Sequence, residues 1–423
     1  MKLRRTIKSK ALTALLGIAL GGVISLPTAT ADKVPGYDSW DDVLSAADGT
    51  TVNWFMWGGS ETINGWVDKH FGEVVKERYN ITLNRVPIGD TVDAVNLVLT
   101  EAQAGVTEGG SVDMIWINGD NFKTLKEAEL LYGPWSESVP NAVHVNWNDP
   151  SIANDFGVSV DGLESPWGSA QMVWEYNSAY VSNPPRTFEA TAEWIHGNPG
   201  LFTYPAPPDF HGLSFVKHAF YWAADDWSVF QKPFDQAVFD SIAPKVWAYL
   251  NDIEPDLWRG GETYPAKIAA LNELLANSEV YFGMALNPRR TSNFIKNGTY
   301  PDTIRTFVHD TGTLTNKSYV TIPLAANNPA GAMVIANYML STEHQLVQAD
   351  PTRWGWGIPT DISTWTEAER AQLASYELGI ATLPPGELAD AGLPEPHASW
   401  VCLLYTSDAA DEGLGVDLGG RRI

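Results

Sequence analysis

Residues 110–128 read GSVDMIWINGDNFKTLKEA, and their pattern indicates the fold class. Its first part, Val112–Ile117, is a short apolar run that predicts a buried strand. Asn118–Asn121 forms a polar turn, and residues 122–128 have the apolar spacing of a helix. The stretch therefore predicts one strand–turn–helix unit, the repeating element of α/β proteins.

Similar units lie on both sides of this stretch. Predicted strands at Thr51–Met56 and Ile81–Val86 are each followed by a helical pattern, and further strands are predicted at Ala170–Tyr176 and Glu279–Ala285. Repeated strand–helix units of this length imply a mostly parallel, doubly wound sheet. Their order fits two α/β lobes joined by two crossings better than three tandem domains.

The composition excludes several classes of function. The chain has 423 residues, with 51 acidic against 27 basic side chains and a formal net charge of -24. Nucleic-acid binding needs clustered Lys and Arg, so DNA and RNA are not expected partners. A single Cys cannot form an internal disulfide or a Cys-rich zinc cluster.

Both ends of the chain differ from its body. Residues 1–31 combine a basic start, an apolar centre and Ala29-Thr30-Ala31, the pattern of a secretory signal peptide cleaved near Ala31. No later segment is long and apolar enough to span a bilayer, so we expect no membrane anchor. The tail 401–423 loses the Trp- and Pro-rich character of the preceding chain. We expect this tail to be non-native or disordered and assign it no function.

Several motifs together resemble the substrate-binding proteins of bacterial ABC importers, of the type II periplasmic binding protein class. They are Gly110–Trp116, the strand Val173–Asn177 with the turn Pro184–Phe188, and the run Asn327–Gln345. The resemblance implies a two-lobed fold with two hinge crossings, in which each lobe is a mostly parallel sheet flanked by helices. The predicted boundaries are 32–165 plus 325–400 for lobe 1 and 166–324 for lobe 2.

Within that class the chain is most similar to the YnjB family. The similarity rests on Trp54–Gly59, Trp116–Phe122 and Leu393–His397. It covers nearly all of residues 32–400. The family normally ends in a further helix after the last of these segments, and here the tail stands in its place.

Two loops of the first lobe are candidates for ligand binding, because ligands of open α/β sheets sit at the carboxyl ends of strands. The first loop offers glycines for close backbone approach and a Trp that can stack, although its Ser is also a natural helix cap. The second offers amides and a carboxylate for a cationic ligand, with helix capping as the competing role. The predicted residues of this lobe are Trp57, Gly58, Gly59, Ser60, Asn118, Asp120 and Asn121.

The second lobe offers a less specific set. Residues of one strand alternate between its faces, so Gln171 and Glu175 share one face while Tyr176 takes the other, and not all three can line the cleft. Aromatic residues are candidates for a ligand-binding wall but are more often core, and Arg289 could clamp an anion or lie on the surface. The predicted residues of this lobe are Gln171, Glu175, Tyr176, Tyr204, Trp222 and Arg289.

These observations predict a solute receptor of the periplasm rather than an enzyme. No hydrolase elbow, metalloprotease motif, P-loop or dinucleotide fingerprint is present, and we expect no cofactor and no metal. The resemblance implies delivery of a small ligand to the membrane permease subunits of an ABC importer, by a monomer. A cationic ligand such as thiamine or a polyamine is favoured, while a sugar or an anion stays open. The alternative is a secreted glycoside hydrolase that uses paired carboxylates.

Overall fold

The computed structural model describes residues 34–404, so the predicted signal peptide and the tail beyond residue 404 lie outside the described residues. The strands are β1 Thr51–Trp57, β2 Thr82–Ile88, β3 Met114–Ile117, β4 Asn154–Asp155, β5 Val158–Ser159, β6 Glu164–Gln171, β7 Val173–Asn177, β8 Phe282–Ala285, β9 Ile304–Phe307, β10 Thr313–Thr321 and β11 Gly392–Pro394. The helices are α1 Trp40–Ala47, α2 Glu61–Trp66, α3 Gly72–Tyr79, α4 Thr91–Gln103, α5 Asp120–Glu127, α6 Pro150–Ala153, α7 Phe188–Gly197, α8 Phe210–Ala223, α9 Gln236–Ile253, α10 Ile268–Ala276, α11 Arg290–Lys296, α12 Pro329–Met339, α13 Thr342–Ala349, α14 Glu367–Ala374, α15 Pro385–Asp390 and α16 Ala398–Leu404.

The larger sheet has the strand order β11-β10-β3-β1-β2, and β6 also pairs with β10. Strand β1 runs parallel to β2 and β3, as the strand–helix units predict. Val52, Trp54 and Met56 of β1 are buried, because alternate residues face the helices on one side of the sheet. The long strand β10 runs antiparallel to both β3 and β6. The α/β fold class predicted from the sequence is confirmed.

The smaller sheet differs from the prediction of a mostly parallel sheet in each lobe. Its order is β8-β7-β9, and β7 is antiparallel to both neighbours. Strands β8 and β9 each follow a helix and run in the same direction, as strand–helix units require. Strand β7 instead continues β6 after the single residue Met172, so it enters the sheet from the opposite end. The parallel pattern therefore fails at the strand that arrives from the larger sheet.

Two crossings connect the sheets, and they are bonded to each other. The first passes from β6 to β7 through Met172, and the second passes from β9 to β10 through residues 308–312. The Met172 N–H donates to the Leu314 carbonyl at 2.9 Å. The Leu314 N–H donates to Nε2 of the buried His218 at 3.0 Å, while Nδ1 of the same ring bonds the Ser214 carbonyl. His218 of α8 thus fixes the backbone where the chain changes sheet.

The C-terminal segment contacts elements of both sheets. Helix α12 is buried along its whole length against the larger sheet. Further on, Ser292 of α11 bonds Thr382 at 2.8 Å, and the Trp400 ring packs on Phe230 with centroids 5.0 Å apart. Helix α16 continues to Leu404 with Val401 buried, so the boundary placed at residue 401 falls inside a helix. The lobe boundaries themselves stay a prediction.

Candidate functional site

A cavity of about 790 Å³ lies between the carboxyl ends of β1, β2 and β3 and the helices beside the smaller sheet. The larger sheet contributes the loops before α2, α4 and α5 to its wall. The opposite wall comes from α8, α10, α11 and the turn after β8. Both walls therefore present the ends of elements, where backbone and side-chain polar groups are free to meet a ligand.

The loop Trp57–Ser60 places an aromatic ring at the cavity. The Gly58 N–H donates to the Ile88 carbonyl at 3.0 Å, and a Cβ at Gly58 would lie 2.7 Å from Pro87. A Cβ at Gly59 would overlap the Trp57 indole, so the ring packs directly on its own loop. The Ser60 hydroxyl accepts the Ile63 N–H and so caps α2, and Ser60 also lines the cavity. The two roles are therefore compatible.

The second loop places Asp120 at the start of α5. Gly119 adopts a φ of 65°, a conformation that favours glycine, and its N–H donates to the buried carboxylate of Asp155 at 2.5 Å. The helix cap is Gly119, so neither Asp120 nor Asn121 occupies the capping position that competed with ligand binding. Asn118, Asp120 and Asn121 all line the cavity.

Asp120 is one of three carboxylates on this wall, with Glu61 and Asp90, that line the cavity. It is half-buried, and it forms no ion pair with any residue between 34 and 404. Burial raises the pKa of Asp120 and the charge of Asp90 adds to this, whereas the N–H groups of Asp120 and Asn121 at the start of α5 and the charge of Lys217 oppose it. Lys217 itself is bound to the buried Glu395 at 2.6 Å. The Asp120 charge is thus left without a close protein counterion.

Indole rings form much of the remaining wall on this side. Trp354 and Trp356 stack with centroids 4.8 Å apart and 12° between their planes. Trp116 of β3 meets Trp356 edge-on at 6.3 Å. These three indoles and Trp57 line the same cavity as Asp120. A cavity lined by both aromatic rings and a carboxylate suits a cationic ligand, because the face of a π-system attracts positive charge.

The opposite wall centres on Arg290, the first residue of α11. Its Nη2 donates to Glu175 at 2.9 Å and to Asn272 at 3.2 Å. Glu175 is fully buried and also accepts hydrogen bonds from Thr291 and Tyr300. This ion pair holds the guanidinium in place at the cavity surface, where its side chain is 17% exposed.

The structure brings six predicted residues to the cavity and leaves the others outside its lining. Trp57, Gly59, Ser60, Asn118, Asp120 and Asn121 line it. Gly58 lies behind the first loop, and Glu175 lies beneath Arg290.

The remaining five predicted residues, all of the second lobe, have other contacts. Gln171 bonds Thr313 and the Leu388 carbonyl at the crossing. Tyr176 packs edge-on against Phe307. Tyr204 stacks on Phe215 with ring centroids 4.2 Å apart, and the Trp222 indole N–H donates to Glu189 at 2.8 Å. Arg289 donates to the Ala349 carbonyl.

Sequence reasoning missed most of the wall beside the smaller sheet. Arg290 lies next to the predicted Arg289, and Asn272 and Lys217 lie on helices that the sequence did not connect with the cleft. The Trp-Gly-Trp run at 354–356 was a detectable signal, because two indoles flank a glycine with a φ of 71°.

No helix among residues 34–404 combines the length and apolar character that a bilayer crossing needs. In the same part of the chain, no group of three or more His, Cys, Asp or Glu side chains is placed to hold a metal ion.

Two sheets joined by paired crossings, with a cavity lined from both sides at strand ends, define the type II periplasmic binding protein class. Residues 69–363 match the family of bacterial extracellular solute-binding proteins, and the chain belongs to that family. It is 38% identical over 365 residues to YnjB of Escherichia coli strain K12, covering 86% of this chain and 92% of the relative.

Solved structures agree on the fold. AfuA, a periplasmic binding protein from Actinobacillus pleuropneumoniae with fructose-6-phosphate bound, superposes with a TM-score of 0.58 at 12% identity, covering 86% of this chain and 96% of that one. The spermidine/putrescine substrate-binding protein PotD from Streptococcus pneumoniae gives a TM-score of 0.60 at 12% identity, covering 86% and 98%. The chain is thus an extracellular solute-binding protein of the ABC-transporter type, and the receptor interpretation is favoured over the glycoside hydrolase.

Proposed function

We propose that this chain binds a small organic cation in the cavity between the two sheets and delivers it to the membrane permease of an ABC importer. In this proposal the chain is exported, cleaved near Ala31, and acts in the periplasm as a monomer without enzymatic turnover. The observation that carries the cation is Asp120, a half-buried carboxylate with no ion-pair partner among residues 34–404.

The surroundings of Asp120 support this choice. A charged group taken out of water needs a partner, and Lys217, whose charge acts on Asp120, already pairs with Glu395. The indoles of Trp57, Trp116 and Trp356 supply faces on which a cation can rest. A volume of about 790 Å³ falls within the range of roughly 300–1,000 Å³ that is usual for small-molecule sites.

The two-sided wall supports transport by closure. A ligand can stabilise a closed state only through contacts that differ between the open and closed states. Asp120 on one wall and Arg290 on the other lie beside separate sheets, and the crossings at Met172 and at residues 308–312 form the hinge of such a motion. The closed form would then be recognised by the permease.

The fold alone does not determine which ligand is bound. AfuA was solved with fructose-6-phosphate, and PotD belongs to a spermidine/putrescine transporter, although both share this fold. The preference for a cation such as thiamine or a polyamine therefore rests on the cavity of this chain.

A thermal-shift panel tests the proposal. Purified protein starting at residue 32 is heated with thiamine, putrescine, spermidine, neutral sugars and sugar phosphates. We expect one cation to raise the melting temperature saturably, because a ligand at a hundredfold excess over Kd stabilises by about 2.7 kcal/mol. Stabilisation by neutral sugars alone would contradict the cation proposal. Hydrolysis of a glycan by the same sample would instead support the alternative function, a secreted glycoside hydrolase.

A further inference from the structure

The wall opposite Asp120 carries a set of hydrogen-bond donors, and their direction is fixed by the protein. Asn287 is 8% exposed, and its side-chain oxygen accepts the Arg289 N–H at 2.9 Å. A backbone N–H can only donate, so the atom that faces it must be Oδ1. The amide NH₂ of Asn287 therefore points away from that contact and has no partner among residues 34–404.

Asn272 is oriented by the same logic. Its Oδ1 accepts Nη2 of Arg290 at 3.2 Å and the Tyr300 hydroxyl at 3.0 Å. A guanidinium has no acceptor, so the amide cannot be turned round without losing this bond. Its NH₂ is left without a partner among the described residues, and Asn272 lines the cavity.

Arg290 forms hydrogen bonds with both Asn287 and Asn272. Its N–H bonds the Asn287 carbonyl at 3.0 Å, and its Nη2 bonds Asn272. The other terminal nitrogen, Nη1, makes no hydrogen bond within residues 34–404. Three donor groups on Asn272, Asn287 and Arg290 thus lie side by side on the cavity wall, and one of them is charged.

The acceptors of this wall are fewer or already occupied. Glu175 accepts three hydrogen bonds on the buried side of Arg290. Asp209 is occupied by the backbone and ring of His211. Asn293 donates to the Trp354 carbonyl at 3.2 Å, so its oxygen is the one amide acceptor of α11 at the cavity, and Glu273 is exposed.

We propose that the ligand carries an anionic oxygen group, a carboxylate or a phosphate, which Asn272, Asn287 and Arg290 bind while its cationic part lies at Asp120. Anionic oxygens accept several hydrogen bonds at once and form their strongest bonds with guanidinium groups. The ligand is then a bipolar molecule whose two ends meet the two walls. This inference rests on the proposed function and narrows its ligand class.

Matched pairs of compounds test the inference on the wild-type chain. Each pair keeps one cation and adds an anionic group: putrescine against ornithine, choline against phosphocholine, and thiamine against thiamine monophosphate. Calorimetric titration gives Kd for each compound, and inorganic phosphate is titrated alone. We expect at least one anionic member to bind tenfold or more tightly than its parent cation. The pair that shows the gain distinguishes a carboxylate from a phosphate.

The variant Asn287→Asp removes the donor and keeps the oxygen that the Arg289 N–H needs, so the local turn is preserved. We expect it to weaken the anionic compound at least tenfold and to leave the parent cation unchanged or bound more tightly. Asn146→Asp is the matched control, because Oδ1 of this exposed residue also accepts a backbone N–H, from Asn148, away from the cavity. It should change neither Kd.

Two results would overturn the inference while leaving the proposed function intact. One is equal binding of each parent cation and its anionic counterpart, and the other is an equal loss of both in Asn287→Asp. Binding of inorganic phosphate as tightly as the bipolar compounds would also overturn it, since the cation would then contribute nothing. If no compound binds, the proposed cation receptor fails, and the inference fails with it.

Discussion

Glu164 is a buried carboxyl group whose replacement should stabilise the protein. Its side chain is fully buried, and neither oxygen has a hydrogen-bond partner among the described residues. Burial and the adjacent carboxyl of Asp155 raise the pKa of Glu164 well above its usual value. Burial raises the pKa of Asp155 as well, but Asp155 accepts the Gly119 N–H, a hydrogen bond that favours its charged form and that Glu164 lacks. We therefore assign the proton of this pair to Glu164 at neutral pH.

The size of the effect follows from proton linkage. The unfolded chain releases the Glu164 proton near its ordinary pKa of 4.5, whereas the folded chain keeps it. Below pH 4.5 the raised pKa therefore does not change the free energy of unfolding. Above pH 4.5 it lowers the free energy of unfolding by about 1.4 kcal/mol per pH unit. At pH 7 the largest loss of unfolding free energy that Glu164 can cause is about 3 kcal/mol. Glu164→Gln has nearly the same shape and carries no proton to lose, so it removes this cost.

Urea denaturation at pH 7 and at pH 4 measures the effect. We expect Glu164→Gln to raise the free energy of unfolding by about 1–3 kcal/mol at pH 7 and to match the wild type at pH 4. Glu108→Gln, at an exposed position, is the control and should change neither value by more than about 0.5 kcal/mol. An equal gain at both pH values, or none at pH 7, would refute the reasoning.

Three further predictions follow from the site and the crossing. Asp120→Asn should weaken a cationic ligand by about 10- to 100-fold in calorimetry, as expected for a charged hydrogen bond. Asp41→Asn, in the first turn of α1, controls for the lost charge and should leave Kd unchanged. Gly119→Ala should cost about 1–3 kcal/mol in urea denaturation, because a Cβ there meets a positive φ and the Phe156 ring at 2.8 Å. Burial lowers the pKa of His218 to about 4, so its contribution to stability is complete above pH 6.5 and is lost as the pH falls toward 4. NMR at pH 5.5 should show a neutral imidazole, and a charged ring would contradict this.

The cavity loops beside the larger sheet could be predicted from the sequence because each loop is formed by residues that are consecutive in the chain. A buried strand, a glycine turn and a helix follow one another in β1 and β3, and parallel strands bring their carboxyl ends to one edge. Trp57 and Asp120 were found in this way, and both line the cavity. Gly58 of the same loop is not part of the cavity lining, and its N–H bonds the Ile88 carbonyl.

The opposite wall could not be predicted in the same way, because tertiary packing decides which side chains face it. Glu175 was a candidate for ligand binding on a strand whose residues could not all line the cleft, and in the structure it is the buried partner of Arg290. The sequence cannot tell which of two adjacent arginines turns inward at the start of a helix. Arg289 precedes α11 and reaches the Ala349 carbonyl, whereas Arg290 begins α11 and faces the cavity.

The smaller sheet shows the same limit at the level of topology. Strand–helix alternation predicts parallel neighbours, and β8 and β9 obey it. Strand β7 breaks the rule because the chain enters this sheet directly from β6, without a helix. Nothing in the residues of β7 marks that change of direction.

The most direct test of the account is a crystal structure with the compound that the thermal-shift panel selects. The account predicts ligand density in the cavity between Asp120 and Arg290, with the cationic group against Asp120 and contacts from both walls. Density outside this cavity, or a ligand held by one wall alone, would contradict the claim that this cleft is the receptor site.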